Sequence, residues 1–156
     1  SVFDAVLVDA AARHCDFLKL AAREQHNLAL MFSVFAHDKP IYRSVSVLVE
    51  VGTGKHKSVT TLFAIQKYPA PMAESLWRLL RFAVHCNRRG FRWGWSSHST
   101  GTADCVLAAR LGASAIEKHI ALKPSDIEAG HSLRPQQFRQ MGKAIRKKEK
   151  AWAIAL

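Results

Sequence analysis

Three pairs of polar residues stand two positions apart near the ends of short apolar runs: Gln66 with Tyr68, Ser96 with His98, and Glu117 with His119. Side chains two apart on a β-strand project to the same face, so each pair reaches one pocket if its run is a strand. Lys19 and Ser44 lie in two earlier runs of the same kind. In a parallel barrel the C-terminal strand ends form the active face, and all eight side chains would then converge there. Two imidazoles on adjacent strand ends, one beside a serine and one beside a glutamate, suit metal ligation. A histidine standing alone is more often a surface or hydrogen-bonded core residue, and spacing leaves that alternative open.

The elements that must position these residues are legible as an alternation. Short, largely apolar runs at 16–21, 40–45, 61–68, 92–98 and 114–120 read as five strands. Between them the period lengthens. Met72, Leu76, Leu79, Leu80, Ala83 and Val84 fall on one helical face. Further helices are expected around Val6 to Ala11, over 28–36, over 103–111, and from Pro135 to about Trp152, with Pro135 in a first turn and Gly112 as a stop. Strand and helix in alternation predict a parallel α/β fold. The connection from Val45 to Thr60 is the exception, being too short in helical pattern for an ordinary crossover.

With 156 residues, 49% of them hydrophobic and 22% charged, the chain has the make-up of a globular domain. No apolar run is long and uncharged enough to span a bilayer, and Ser1 opens no signal-like region, so a soluble cytoplasmic protein is expected. The net charge of +11 is lopsided: residues 1–78 hold nine basic and seven acidic side chains, residues 79–156 fourteen and five. Much of the excess sits in Arg88, Arg89 and Arg92 and in Lys143, Arg146, Lys147, Lys148 and Lys150. A non-catalytic basic module that binds nucleic acid or another polyanion is therefore the alternative reading, although no finger, heptad or RNA-binding signature accompanies the charge. Cys15, Cys86 and Cys105 are too few and too scattered for a disulfide framework or a zinc knuckle. Gly52-Thr53-Gly54-Lys55 lacks the first glycine and the trailing hydroxyl of a phosphate loop and reads as a turn.

Gly94-Trp95-Ser96-Ser97-His98-Ser99, then Leu111-Gly112-Ala113 and Ile116-Glu117-Lys118-His119, resemble the G-Y-S-D-H-T segment, the L-G-A helix end and the E-K-H-F strand of the sialic acid synthase family. Further matches follow in the same order. Val2-Phe3-Asp4 is similar to that family's T-P-F-D turn, Leu18-Lys19-Leu20-Ala21 through Asn27 to its K-I-A-S-G-x-x-x-N segment, Lys39-Pro40 to its G-K-P strand entry, and Tyr68-Pro69-Ala70-Pro71 to its Y-P-T-P.

The resemblance implies a TIM-type (β/α)8 barrel of which this chain carries strands four to eight. The first three strands and a C-terminal antifreeze-like domain are expected to be absent from 1–156. It implies condensation of phosphoenolpyruvate with N-acetylmannosamine or a related amino sugar to a sialic acid, with Mn2+ or Mg2+ held by His98 and His119. Lys19, Ser44 and Ser96 match contacts to phosphoenolpyruvate. Gln66 stands at a substrate-binding position where the family often has Asn, Tyr68 matches its sugar-side tyrosine, and Glu24 and Glu117 match acidic positions near the substrates. A homodimer is implied as well. Three positions depart from the pattern: Ala22 stands for a serine, Ser97 for the aspartate before the metal histidine, and the loop before His131 is shorter than the family's P-G-P-D-H. The lost aspartate is expected to leave some neighbouring group without a charged partner.

Overall fold

A computed structural model describes residues 1–48 and 59–152, with side chains through Lys147. The turn at Gly52-Thr53-Gly54-Lys55, most of the 45–60 connection, and the side chains of Lys148 and Lys150 lie outside the described residues. Five strands, β1 (Leu18–Leu20), β2 (Ile41–Val45), β3 (Val59–Ala64), β4 (Trp93–Ser97) and β5 (Ala115–Lys118), pair in chain order and all in parallel. Helices α1 (Val8–His14), α2 (Leu28–Phe35), α3 (Met72–Arg88), α4 (Ala103–Arg110) and α5 (Pro135–Trp152) complete the α/β order, with short 3-10 turns at Ala5–Leu7 and Ala22–Glu24. The result is a half-barrel, as expected for part of a TIM-type barrel. Among the described strands β1 and β5 are paired on one side only.

Alternation along the strands separates core from site. Trp93 and Trp95 on β4, Phe63 on β3 and Ile65 just after it turn toward the helices, where they pack with Leu79, Phe82, Ala83 and Cys86 of α3 and Ala108 of α4. Leu18, Leu20 and Ile41 do the same against Val8, Ala12, Leu30 and Val34. Cys105, Leu133 and Met141 join α4 to α5. The residues between them, Lys19, Ser44, Ala64, Ser96 and Glu117, face the concave side. Register aligns that side closely: Ala64 lies beside Ser96, and Ser96 beside Glu117. Gly94 lets the strands approach there, because a Cβ at that position would sit 2.5 Å from both the Ala115 carbonyl oxygen and Leu62 Cδ2.

Two expectations change. The buried stripe of α3 is Ser75, Leu79, Phe82, Ala83 and Cys86, whereas Leu80 and Val84 remain 46% and 49% exposed. Phe82 decides this rotation by wedging its ring 4.9 Å from that of Phe63 and 5.6 Å from that of Trp93. The strand expected over 61–68 runs instead over Val59–Ala64, so Gln66 and Tyr68 belong to the connection into α3. Pro69 and Pro71, which carry no N–H for a ladder, follow at once.

Candidate active site

The concave side opens at the C-terminal strand ends into a cleft of ≈ 760 Å³. Lys19, Ser44, Gln66, Tyr68, Ser96, His98, Glu117 and His119 all border it. Glu24 does not. Its carboxylate accepts from Asn27 Nδ2 at 3.2 Å and lies 3.6 Å from Arg23 Nε, in the 3-10 turn beside the cleft.

One half of the cleft centres on Lys19, whose Nζ lies 2.6 Å from Glu117 Oε1. Ser96 Oγ approaches the same carboxylate oxygen at 3.4 Å. Ser44 Oγ is buried and has no hydrogen-bond partner among the described residues. A hydroxyl that gives up water without replacing it is disfavoured unless a ligand fills the role. An ammonium and two hydroxyls suit a phosphate or carboxylate, and Glu117 pairs with the ammonium in this structure.

The other half is a set of imidazoles around one phenol. The Tyr68 ring centroid is 4.3 Å from that of His98 and 5.2 Å from that of His131, and 6.3 Å from that of His119. His98 follows β4 directly, and its Nδ1 lies 2.6 Å from the Ile65 carbonyl. His119 follows β5, with Nδ1 2.6 Å from Glu128 Oε2. Burial pushes the His98 pKa down from its ordinary value, against the opposing Ile65 bond; burial and the nearby His119 push that of His131 down too. Both rings are therefore neutral near pH 7, the form a metal requires. One ligand atom from each of His119, Glu128 and His131 lies within 4.8 Å of the others. Imidazoles with a carboxylate beside them fit a divalent cation.

Sequence reasoning placed His131 only in a shortened loop and passed over Glu128. The loop returns because Ile120 and Leu133 form a parallel bridge, in which Leu133 N–H donates to the His119 carbonyl and Ala121 N–H to that of Leu133. His131, two residues before the bridge, is thereby brought to His119. A histidine two positions before an apolar residue, in the first loop after the last strand, was the available signal.

Lys118, on the helix side of β5, is the neighbour of Ser97, the position expected to have lost an aspartate. Its buried ammonium donates to Ser97 Oγ at 3.1 Å and to the Ser99 carbonyl. Burial lowers its pKa, with Cys105 and Asp104 opposing. Asp104 itself, fully buried, accepts from Trp95 Nε1 at 2.9 Å.

No helix among the described residues is long and apolar enough to cross a membrane. A profile of the NeuB family matches residues 1–154. Pseudaminic acid synthase of Helicobacter pylori is 28% identical over 133 residues, which are 84% of this chain and 37% of that protein, so the chain spans little more than a third of that relative. The fold is similar to that of an N-acetylneuraminic acid (sialic acid) synthetase from Leptospira borgpetersenii (TM-score 0.82, 19% identity, 96% of this chain and 56% of that one). It is also similar to a truncated 3-deoxy-D-arabino-heptulosonate 7-phosphate synthase from Thermotoga maritima (TM-score 0.66, 14% identity, 96% and 64%). On the match that runs from the first residue to the 154th, the chain belongs to the NeuB family, the sialic acid synthase family whose motifs its strand ends resemble.

Proposed function

We propose that this cleft is the substrate site of a synthase that joins phosphoenolpyruvate to the open-chain aldehyde of an N-acetylated amino sugar, N-acetylmannosamine or a relative. The observation that carries the reading is the convergence of Lys19, Ser44, Ser96 and Glu117 with His98 and His119 on one cleft in a NeuB-family chain. Carbon 3 of phosphoenolpyruvate bonds to the aldehyde carbon, water adds at carbon 2, and phosphate leaves, giving a 2-keto sugar acid. Lys19 and the two serine hydroxyls bind and orient the anionic substrate. Gln66 and Tyr68 flank the sugar. Glu117, the one of the two expected acids that borders the cleft, orients water or a sugar hydroxyl once the substrate has taken Lys19 from it. Glu24 is left to act from the turn beside it. A divalent cation, Mn2+ or Mg2+, held by His98 and His119 would polarise the aldehyde oxygen and stabilise the charge growing on it.

A cytoplasmic setting, where phosphoenolpyruvate is made, and self-association through the singly paired edges of β1 and β5 belong to the same proposal. The arginine cluster behind the polyanion-binding alternative has a structural explanation. Arg88 and Arg89 close α3 and Arg92 precedes β4, at the end of the sheet away from the cleft, and cations there complement the C-terminal pole of the helix. Calorimetry with phosphoenolpyruvate tests the proposal. Lys19→Met is expected to weaken binding at least about tenfold and Glu117→Gln to strengthen it. Equal affinity in the wild type and Lys19→Met would overturn the assignment.

A further inference from the structure

We infer that His131 is a third imidazole ligand in this cleft, joining His98 and His119 so that each binds one cation through Nε2, and that the site accordingly selects a first-row transition metal over magnesium. The inference rests on the reading of the cleft as a metal-assisted synthase site and names the donors that reading leaves out.

Three observations carry it. First, two of the rings already have Nδ1 engaged, His98 with the Ile65 carbonyl and His119 with the Glu128 carboxylate, both at 2.6 Å. A ring that donates Nδ1–H to an oxygen keeps the lone pair on Nε2, the arrangement that orients metal-bound histidines. Second, His131 is 7% exposed, and its Nε2 is buried with no hydrogen-bond partner among the described residues. Burying a polar nitrogen without a partner is disfavoured, and His131 holds this one at the wall of the cleft. Third, the spacing fits. With metal–nitrogen bonds of about 2.1 Å, a ring centroid stands about 3.3 Å from the metal, and two coordinated rings have centroids about 4.6 Å apart at right angles or about 5.3 Å apart at the tetrahedral angle. The His98–His119 and His119–His131 centroids are 5.3 and 4.8 Å apart. The His98–His131 separation of 6.3 Å asks for a closure of about 1 Å, which a side chain on a loop can supply.

Three neutral nitrogen donors decide the metal. Magnesium prefers oxygen ligands and keeps its waters, whereas imidazole suits zinc, cobalt, nickel and iron. Glu128 then acts on the cation through His119, fixing its tautomer and raising its basicity.

The test loads the full chain with Co2+. X-ray absorption at the cobalt edge is expected to count three imidazoles in the wild type and two in His131→Ala and His131→Gln. Calorimetry is expected to show Co2+ bound at least about tenfold more weakly by both variants and by Glu128→Ala, the last still with three imidazoles. A thousandfold excess of Mg2+ is expected to leave the cobalt in place. Circular dichroism of the variants confirms that they fold, and the glutamine variant keeps a polar side chain where alanine opens a gap. Two imidazoles in the wild type, or unchanged Co2+ affinity in both His131 variants, would overturn the inference while leaving the synthase reading intact. Absence of Co2+ binding would overturn it too. The synthase reading fails separately, if phosphoenolpyruvate binding does not depend on Lys19.

Discussion

Gly94→Ala is the substitution whose effect the structure specifies most fully. The added methyl would meet the Ala115 carbonyl oxygen at 2.5 Å, where ordinary contact begins at 3.4 Å. Leu62 Cδ2, equally close, can rotate away, but a backbone carbonyl in a paired strand cannot. Relief requires β5 to withdraw by about 0.9 Å, which stretches a ladder bond of about 2.9 Å to about 3.8 Å, beyond hydrogen-bonding range. Losing one or two such bonds at about 1 kcal/mol each, with overpacking strain of about 1–2 kcal/mol, gives a destabilisation of about 2–4 kcal/mol. Urea denaturation followed by tryptophan fluorescence measures it, with Gly130→Ala as the control. Gly130 has open space around its Cβ position and no positive φ, so its substitution is expected to stay within about 0.5 kcal/mol of the wild type. Because Ser96 is registered beside Glu117, withdrawal of β5 also separates Lys19 from its partner carboxylate and weakens phosphoenolpyruvate binding. A Gly94→Ala protein as stable as the wild type would refute the close approach of β4 and β5.

Thiol reactivity follows from burial: exposed Cys15 is expected to react promptly with a disulfide reagent, while Cys86 and Cys105, their pKa values raised by burial to about 11 and about 12, react only after unfolding. Three prompt thiols in the native protein would contradict the packing of α3 and α4. Trp95→Phe removes the N–H that Asp104 Oδ2 accepts and leaves a buried carboxylate oxygen short of a donor, so a loss of about 1–3 kcal/mol is expected in the same urea assay. Phe82→Ala empties the wedge between Phe63 and Trp93 and is expected to destabilise by about 3–5 kcal/mol. Glu74 is held below its ordinary pKa chiefly by the hydrogen bond from Lys67, so Lys67→Met should let it rise, as read by carbon NMR titration. The stabilisation this bond gives is present above the ordinary carboxyl pKa and fades as pH falls through the depressed one.

What the sequence made legible was local in origin. Period-two pairs at Ser96 and His98 and at Glu117 and His119 name their own face, because the pleat allows no other, and the cleft contains all four. The stripe on α3 was harder. Leu80 and Val84 are as apolar as Leu79, and only the position of Phe63 and Trp93, distant in sequence, tells which of several apolar stripes turns inward. His131 and Glu128 escaped for a related reason. No periodicity governs a loop, and their approach to His119 depends on a bridge between Ile120 and Leu133 that no local pattern announces. Glu24 shows the converse: a motif position can be matched in sequence while its carboxylate is turned to Asn27 rather than to the cleft.

The Ile120–Leu133 bridge also separates two things that a long loop usually ties together. Between its anchors the chain carries Ile127, Glu128 and Gly130 at the mouth of the cleft, while His131 is set by its short lead to Leu133. Lengthening or shortening a loop between fixed ends changes its closure entropy only logarithmically. Apart from Glu128, which holds His119, residues at the mouth can therefore be inserted, deleted or exchanged with little disturbance to the imidazoles below. The mouth of the cleft is thus free to change shape while its floor keeps its dimensions.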